Sequence, residues 1–239
     1  MNVIPSLFDK EVWSYRDGSG SLHKPRKQKL FANLAEGKTM DIGFAELPNP
    51  FLKDVIGVDV QKVWCPKNYN KVYKVNLNKE NLPFEDCSFD TVISGEIIEH
   101  VENPSHLLRE INRVLKIKGK LIISTPHACF YWEIIRNLFF GFKESRDVGE
   151  HLSNWNILDF ERLLRKNGFE VKRKYGSVLI IPTPFQRIYI PVRNFPRLSW
   201  IVIYECIKIG LADNRIYTRG KLNRNYGKIT SEVIKIEQC

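Results

Sequence analysis

Short runs of branched and apolar residues alternate along the chain with longer stretches whose apolar positions recur every three or four residues. KTMDIGF (38–44), DVIGVDV (54–60), KVYKVNL (71–77), FDTVISG (89–95) and KGKLIIST (118–125) have strand length and composition, and predict five strands of one sheet. Between the last two, Leu107, Leu108, Ile111, Val114 and Leu115 share one helical face. Asn103 stands there as N-cap, Pro104 takes the first helical position, and Gly119 is the expected stop. A second helix over 157–167 carries Ile157, Phe160, Leu163 and Leu164 at helical spacing and stops at Gly168. FEVKRKYGSVLIIP then alternates and turns at Gly176, which predicts a strand pair closing the far edge of the sheet.

Strands alternating with helices through 38–125 predict an α/β protein with a mostly parallel, doubly wound sheet covered on both faces. Ligands of such sheets sit at the carboxyl ends of the central strands. The first predicted strand ends in Asp41-Ile42-Gly43 and the second in Asp59. That acid stands 16 residues beyond Gly43, near the spacing of ~20 at which a carboxylate reaches ribose hydroxyls in dinucleotide folds. The third strand ends in Asn76-Leu77, and the fourth in Ser94-Gly95-Glu96, with Glu99-His100 just beyond. A lone Asp-x-Gly often marks only a turn. Polar residues at the end of strand after strand, in order, point to a ligand.

MDIGFAE, VIGVDV, the run from Asn81 to Pro126 and HLSNWNILDFERLLRKNGFEV together resemble a class I S-adenosylmethionine-dependent methyltransferase of the type 11 group, over residues 38–182. The resemblance implies a Rossmann-like, seven-stranded sheet, a transferase of one-carbon groups, and S-adenosyl-L-methionine as cofactor. Carried over by residue, it places Asp41, Gly43, Phe44 and Ala45 in the first cofactor loop, with Asp41 serving the methionyl ammonium. It gives Asp59 both ribose hydroxyls, a match for a group that only accepts hydrogen bonds. Val60 and Leu77 flank the adenine, Asn76 accepts from its amino group where the family usually has Asp, and Gly95 completes the set. Two departures stand out. Ala45 replaces a glycine, which costs ~1 kcal/mol if the position needs positive φ. Leu47 and Pro48-Asn49-Pro50 predict a turn where a long helix ordinarily follows this loop.

The 239 residues, 43% hydrophobic and 27% charged, suit one sizeable soluble domain with appendages. The expected division is an N-terminal extension (1–37), a methyltransferase domain (38–182) with a lid insertion at about 127–150, and a basic C-terminal extension (183–239). No signal-peptide pattern opens the chain, and LSWIVIYECIKIGLA (198–212) is shorter than the ~20 apolar residues of a membrane span. Five scattered cysteines without a C-x-x-C pair argue against a disulfide framework and a structural zinc site, so no metal is expected and a reducing cytoplasm is. Most of the +10 net charge lies in residues 21–38 and 183–239, where basic side chains could meet nucleic acid, an anionic membrane or a phosphorylated acceptor.

Methyl transfer to a hydroxyl requires alignment and removal of a proton, for which a histidine is suited. His151, ahead of the second helix, is the candidate base. Glu99-His100 reads rather as capping the next helix, and His127 as a loop residue. The aromatic stretch 127–150 and the tail from 183, which ends in a candidate amphipathic helix, suggest an acceptor with an anionic or lipid-linked part, and contact with a membrane surface through the tail. The expected reaction is O-methylation of a small-molecule, sugar or lipid-linked acceptor. RNA methylation and a catalytically degenerate scaffold are the alternatives. No RNA-binding module is visible, so nucleic acid is not favoured, and the oligomeric state is left open.

Overall fold

The computed structural model describes residues 23–61, 64–140, 151–182 and 187–210. Residues 1–22 of the expected N-terminal extension, the last ten residues of the expected lid (141–150) and the tail beyond 210 lie outside them. The elements are α1 (His23–Leu34), β1 (Thr39–Ile42), β2 (Val55–Asp59), β3 (Tyr69–Lys74), β4 (Phe89–Gly95), α2 (Pro104–Val114), β5 (Leu115–Pro126), α3 (Tyr131–Phe140), α4 (Ile157–Lys166), β6 (Phe169–Gly176), β7 (Val178–Pro182), β8 (Arg187–Pro191) and β9 (Ile201–Lys208).

Seven strands form one sheet in the order β3-β2-β1-β4-β5-β9-β6. β1 to β5 are mutually parallel, and β9 runs antiparallel to both of its neighbours. The order reverses between β1 and β4, so the carboxyl ends of these two strands flank the topological switch point. Side-chain alternation along the strands builds two cores. Met40, Ile42, Val92, Leu121, Ile123 and Tyr204 pack with the apolar faces of α2 and α4. On the other face, Val55, Ile93, Ile122 and Ile203 meet Phe31 of α1, Phe44 and Tyr69. The doubly covered α/β fold expected from the alternation is present.

Asn103 caps α2 as expected, its side chain accepting from the His106 amide, and Asn156 caps α4 in the same way. Gly168, at φ +83°, ends α4. Gly119 does not end α2. The helix passes directly into β5 at Leu115, the left-handed turn falls on Lys118 (φ 65°), and a Cβ on Gly119 would lie 2.8 Å from the Lys116 carbonyl oxygen. Glycine is needed there for close approach and not for capping.

The largest correction concerns the chain after Gly176. It does not return along the sheet as a second edge strand. β7 pairs with β8 in a separate two-stranded ribbon, and the chain re-enters the main sheet as β9 between β5 and β6. Residues 201–208, read from sequence as part of an amphipathic helix outside the domain, are a strand of the domain. Their burial explains why: every second residue faces one core or the other, with Val202, Tyr204 and Cys206 on one side and Ile201 and Ile203 on the other side of the strand. No helix among the described residues is long and apolar enough to cross a membrane. Cys65, Cys129 and Cys206 are free thiols, whereas Cys87 is disulfide-bonded.

Because Tyr204 is 1% exposed and packs on Phe160 of α4 at 4.9 Å between ring centroids, Tyr204→Ala should cost about 3–5 kcal/mol. Thermal unfolding should report a Tm lower by at least about 6 °C. A change near zero would place this segment outside the core.

Candidate active site at the strand ends

The loops after β1, β2, β4 and the segment beyond β3 converge with α1 on a cavity of about 550 Å³. Asp41, Gly43, Phe44, Asp59, Val60, Asn76, Leu77, Gly95 and His151 all line it, so nine of the ten residues singled out in the sequence come together. Ala45 does not line it. Its amide instead donates to Asp59 Oδ2 at 3.0 Å, tying the first loop to the second strand end. Gly43 carries the positive φ of this loop, 76°, and Ala45 does not, so the strain expected at Ala45 is absent. A Cβ on Gly43 would overlap Ile97 at 2.0 Å, which leaves glycine no substitute there. Phe44 is 2% exposed, its ring tilted against Tyr69 with centroids 5.0 Å apart.

Pro48-Asn49-Pro50 does replace a helix with a turn. Its missing backbone bonds are supplied from α1 and β3. Gln28 Nε2 donates to the Leu47 and Pro48 carbonyls at 3.2 and 3.1 Å, and Asn49 Nδ2 donates to the Gln28 carbonyl at 2.9 Å. The Asn49 amide donates to the Tyr69 hydroxyl at 3.1 Å, and that hydroxyl donates to Asp41 Oδ2 at 2.6 Å. Backbone groups of the turn thereby find partners without a helix.

Among the described residues that line the cavity, three ionisable groups shift. Burial raises the Asp41 carboxyl to about 7, against the opposing effects of the Tyr69 hydrogen bond and the Lys27 charge. Burial likewise raises Glu99 to about 7. Lys27, on α1, is lowered to about 8 by burial and by Lys24, with the Glu99 and Asp41 charges partly offsetting. Lys27 is ion-paired with Glu96, which holds an unusual positive φ of 58° after β4.

Glu99 and His100 do not cap α2, since Asn103 does; both line the cavity. The Glu99 carbonyl accepts from the amides of Leu152 and Ser153 at 2.8 and 3.2 Å, which brings His151 beside His100 with ring centroids 4.7 Å apart. His127 is buried, bridged to Trp155, and does not line the cavity.

Lys24, Lys27, Gln28 and Phe31 of α1 are cavity residues that the sequence reading missed. The available signal was HKPRKQKLFANL, in which Lys27 and Phe31 share a helical face with Gln28 and Leu34 beside them. Its basic composition disguised it as a solvated flank.

The donor set fits S-adenosylmethionine. Asp59 uses one lone pair on each oxygen, for the Ala45 and Gln61 amides, and keeps acceptor capacity for a diol. Asp41 keeps acceptor capacity for an ammonium, and Asn76 Oδ1, which accepts from the Asn78 amide, keeps a second lone pair for an amino group on a base edge.

Residues 41–123 match the sequence profile of the methyltransferase domain family. An uncharacterized protein of Methanocaldococcus jannaschii is 28% identical over 69% of this chain and 82% of its own length. A probable S-adenosylmethionine-dependent methyltransferase of Mycolicibacterium smegmatis is 26% identical over 73% of this chain and 65% of its own. In fold, the chain is similar to a Thermotoga maritima S-adenosylmethionine-dependent methyltransferase, with a TM-score of 0.60 at 20% identity over 83% of this chain and 92% of that one. The chain thus contains a methyltransferase domain, on the fold of the class I S-adenosylmethionine-dependent methyltransferases.

Asp41 also makes a pH prediction. With its pKa raised from 3.8 to about 7, the folded protein keeps a proton that the unfolded chain releases, so stability falls as pH rises from about 4 to about 7. Asp41→Asn, which still accepts from Tyr69, should therefore stabilise the ligand-free protein at pH 8 by on the order of 1 kcal/mol and leave it unchanged near pH 4. Melting curves at the two pH values decide it. An equal effect at both would mean Asp41 is ionised throughout.

Proposed function

We propose that this protein transfers the methyl group of S-adenosylmethionine to a hydroxyl on an acceptor that has an anionic or lipid-linked part. The observation that carries the reading is the convergence of Asp41, Asp59 and Asn76 on one cavity that also holds His151. When bound, the cofactor supplies a methyl group on a sulfonium, already a strong donor. The chain's own work is then alignment, exclusion of water and handling of one proton.

In this reading Asp41 holds the ammonium of the cofactor's amino-acid end, and its low-dielectric setting makes that contact strong. Asp59, fixed by two backbone amides, takes the ribose hydroxyls without reorganising. Asn76 accepts from the adenine amino group, with Leu77 and Val60 on the faces of the ring. Val60 is 53% exposed and gains apolar contact only when the ring is present. An acceptor hydroxyl must lose its proton as its oxygen gains the methyl, and His151 is the residue on which that step depends.

Two features support the acceptor class. Lys24 lines the cavity and its charge favours an anionic group there. The first part of the expected lid is α3, whose Ile134, Leu138 and Phe139 are exposed, an apolar surface suited to a lipid chain. The C-terminal membrane contact expected from sequence loses β9, which is in the sheet, and keeps the rest of the extension, in which Ile188, Ile190, Phe195 and Leu198 are exposed.

Calorimetry with S-adenosylmethionine is the first test, with saturable binding expected for the native chain and affinity at least ~10-fold weaker for Asp59→Ala, which loses charge-assisted hydrogen bonds. No heat at millimolar cofactor would remove the cofactor reading. His151→Ala should retain cofactor affinity yet slow turnover of a phosphorylated or lipid-linked acceptor by ~10²–10⁴. Turnover of uncharged soluble alcohols in preference to such acceptors would overturn the acceptor class.

A further inference from the structure

We propose that Glu99, His100 and His151 form a binding site for one divalent transition-metal ion at the acceptor end of the cavity. Their ligand atoms lie within 4.8 Å of one another, and all three residues line the same space. Two imidazoles and one carboxylate are the donor set of catalytic zinc centres and of other open sites for divalent first-row metals. Such a set leaves coordination positions for water or substrate.

The second observation is the state of Glu99. It is 1% exposed, and neither carboxylate oxygen makes a well-formed hydrogen bond to a described residue, although Thr125 and the Lys27 charge lie near it. A buried carboxylate in that condition is costly, and a cation between it and the two histidines removes the cost. The ligands are also held by backbone. The His100 amide donates to the Ile97 carbonyl at 3.0 Å, and the Leu152 and Ser153 amides donate to Glu99, so the segment carrying His151 is fastened to the one carrying the other two. Metal–ligand bonds of about 2.0–2.2 Å in a tetrahedron put the donor atoms about 3.4 Å apart. Closure from 4.8 Å to that spacing requires the two half-buried histidine rings to turn out of their edge-to-face contact.

This inference rests on the methyltransferase reading only for what the ion does. An acceptor hydroxyl at the open position becomes more acidic, as metal-bound water does, and gives its proton to solvent. The oxygen forms its bond to the methyl carbon as the carbon–sulfur bond breaks, with the electron pair going to sulfur. His151 then acts on the proton through the ion, as a ligand.

The test is titration of the chelator-treated full chain with CoCl₂, read by visible d–d absorption, followed by displacement with ZnCl₂. One equivalent of Co²⁺ should bind, with the intense bands of a four- or five-coordinate ion, and Zn²⁺ should erase them. Glu99→Gln, His100→Ala and His151→Ala should each weaken Co²⁺ binding at least ~10-fold, with circular-dichroism melting curves reporting that each variant is folded. A native spectrum no different from aqueous Co²⁺, or bands unchanged in all three variants, would overturn the site. Calorimetry with S-adenosylmethionine on the same samples separates the two readings. Cofactor binding without a Co²⁺ site removes only the metal, and a Co²⁺ site without cofactor binding removes only the methyltransferase assignment of this cavity.

Discussion

The buried carboxylate of Asp41 sets the terms for the rest of the site. It lies at the end of β1, 7% exposed, with Tyr69 donating to it from β3, on the far side of β2. The same hydroxyl accepts from Asn49, and the Asn49 side chain reaches α1 through the Gln28 carbonyl. One hydrogen-bond chain thus joins the first strand, the proline turn, the third strand and the N-terminal helix. Breaking it at any point would leave a buried polar group unsatisfied.

This arrangement explains how the protein dispenses with the helix that ordinarily follows the first cofactor loop. Such a helix covers the sheet and fixes the loop. Here α1, from upstream of the sheet, packs Phe31 with the core on that face, while Gln28 satisfies the carbonyls of the turn. It also carries Lys27 into a cavity rich in carboxylates. Asp41, Asp59, Glu96 and Glu99 would repel one another without a buried cation, and Lys27 paired with Glu96 supplies it.

Much of the fold was legible from periodicity and caps. The five parallel strands, both capped helices and the polar residues at the strand ends follow from local patterns, because each depends on neighbours a few positions away. The errors have a common cause. FEVKRKYGSVLIIP alternates in both halves, but whether two adjacent strands pair in one sheet is decided by competition with other segments, and β9 takes the position beside β6. The run at 201–208 is apolar on both faces, so a buried strand and a buried helix are indistinguishable by period. Glu99-His100 was assigned to capping because only the folded chain brings His151, more than fifty residues on, beside it.

The sequence by itself determined the class of fold, the order of the polar strand ends and the replacement of a helix by a turn at Pro48-Asn49-Pro50. These are properties of short windows, set by backbone sterics and by alternation of apolar residues. Only the tertiary structure decided that the basic N-terminal segment roofs the cavity, that the late apolar run is the inserted strand, and that Glu99, His100 and His151 meet. Those outcomes depend on long-range burial, in which desolvation and packing outweigh the local preferences that a sequence displays.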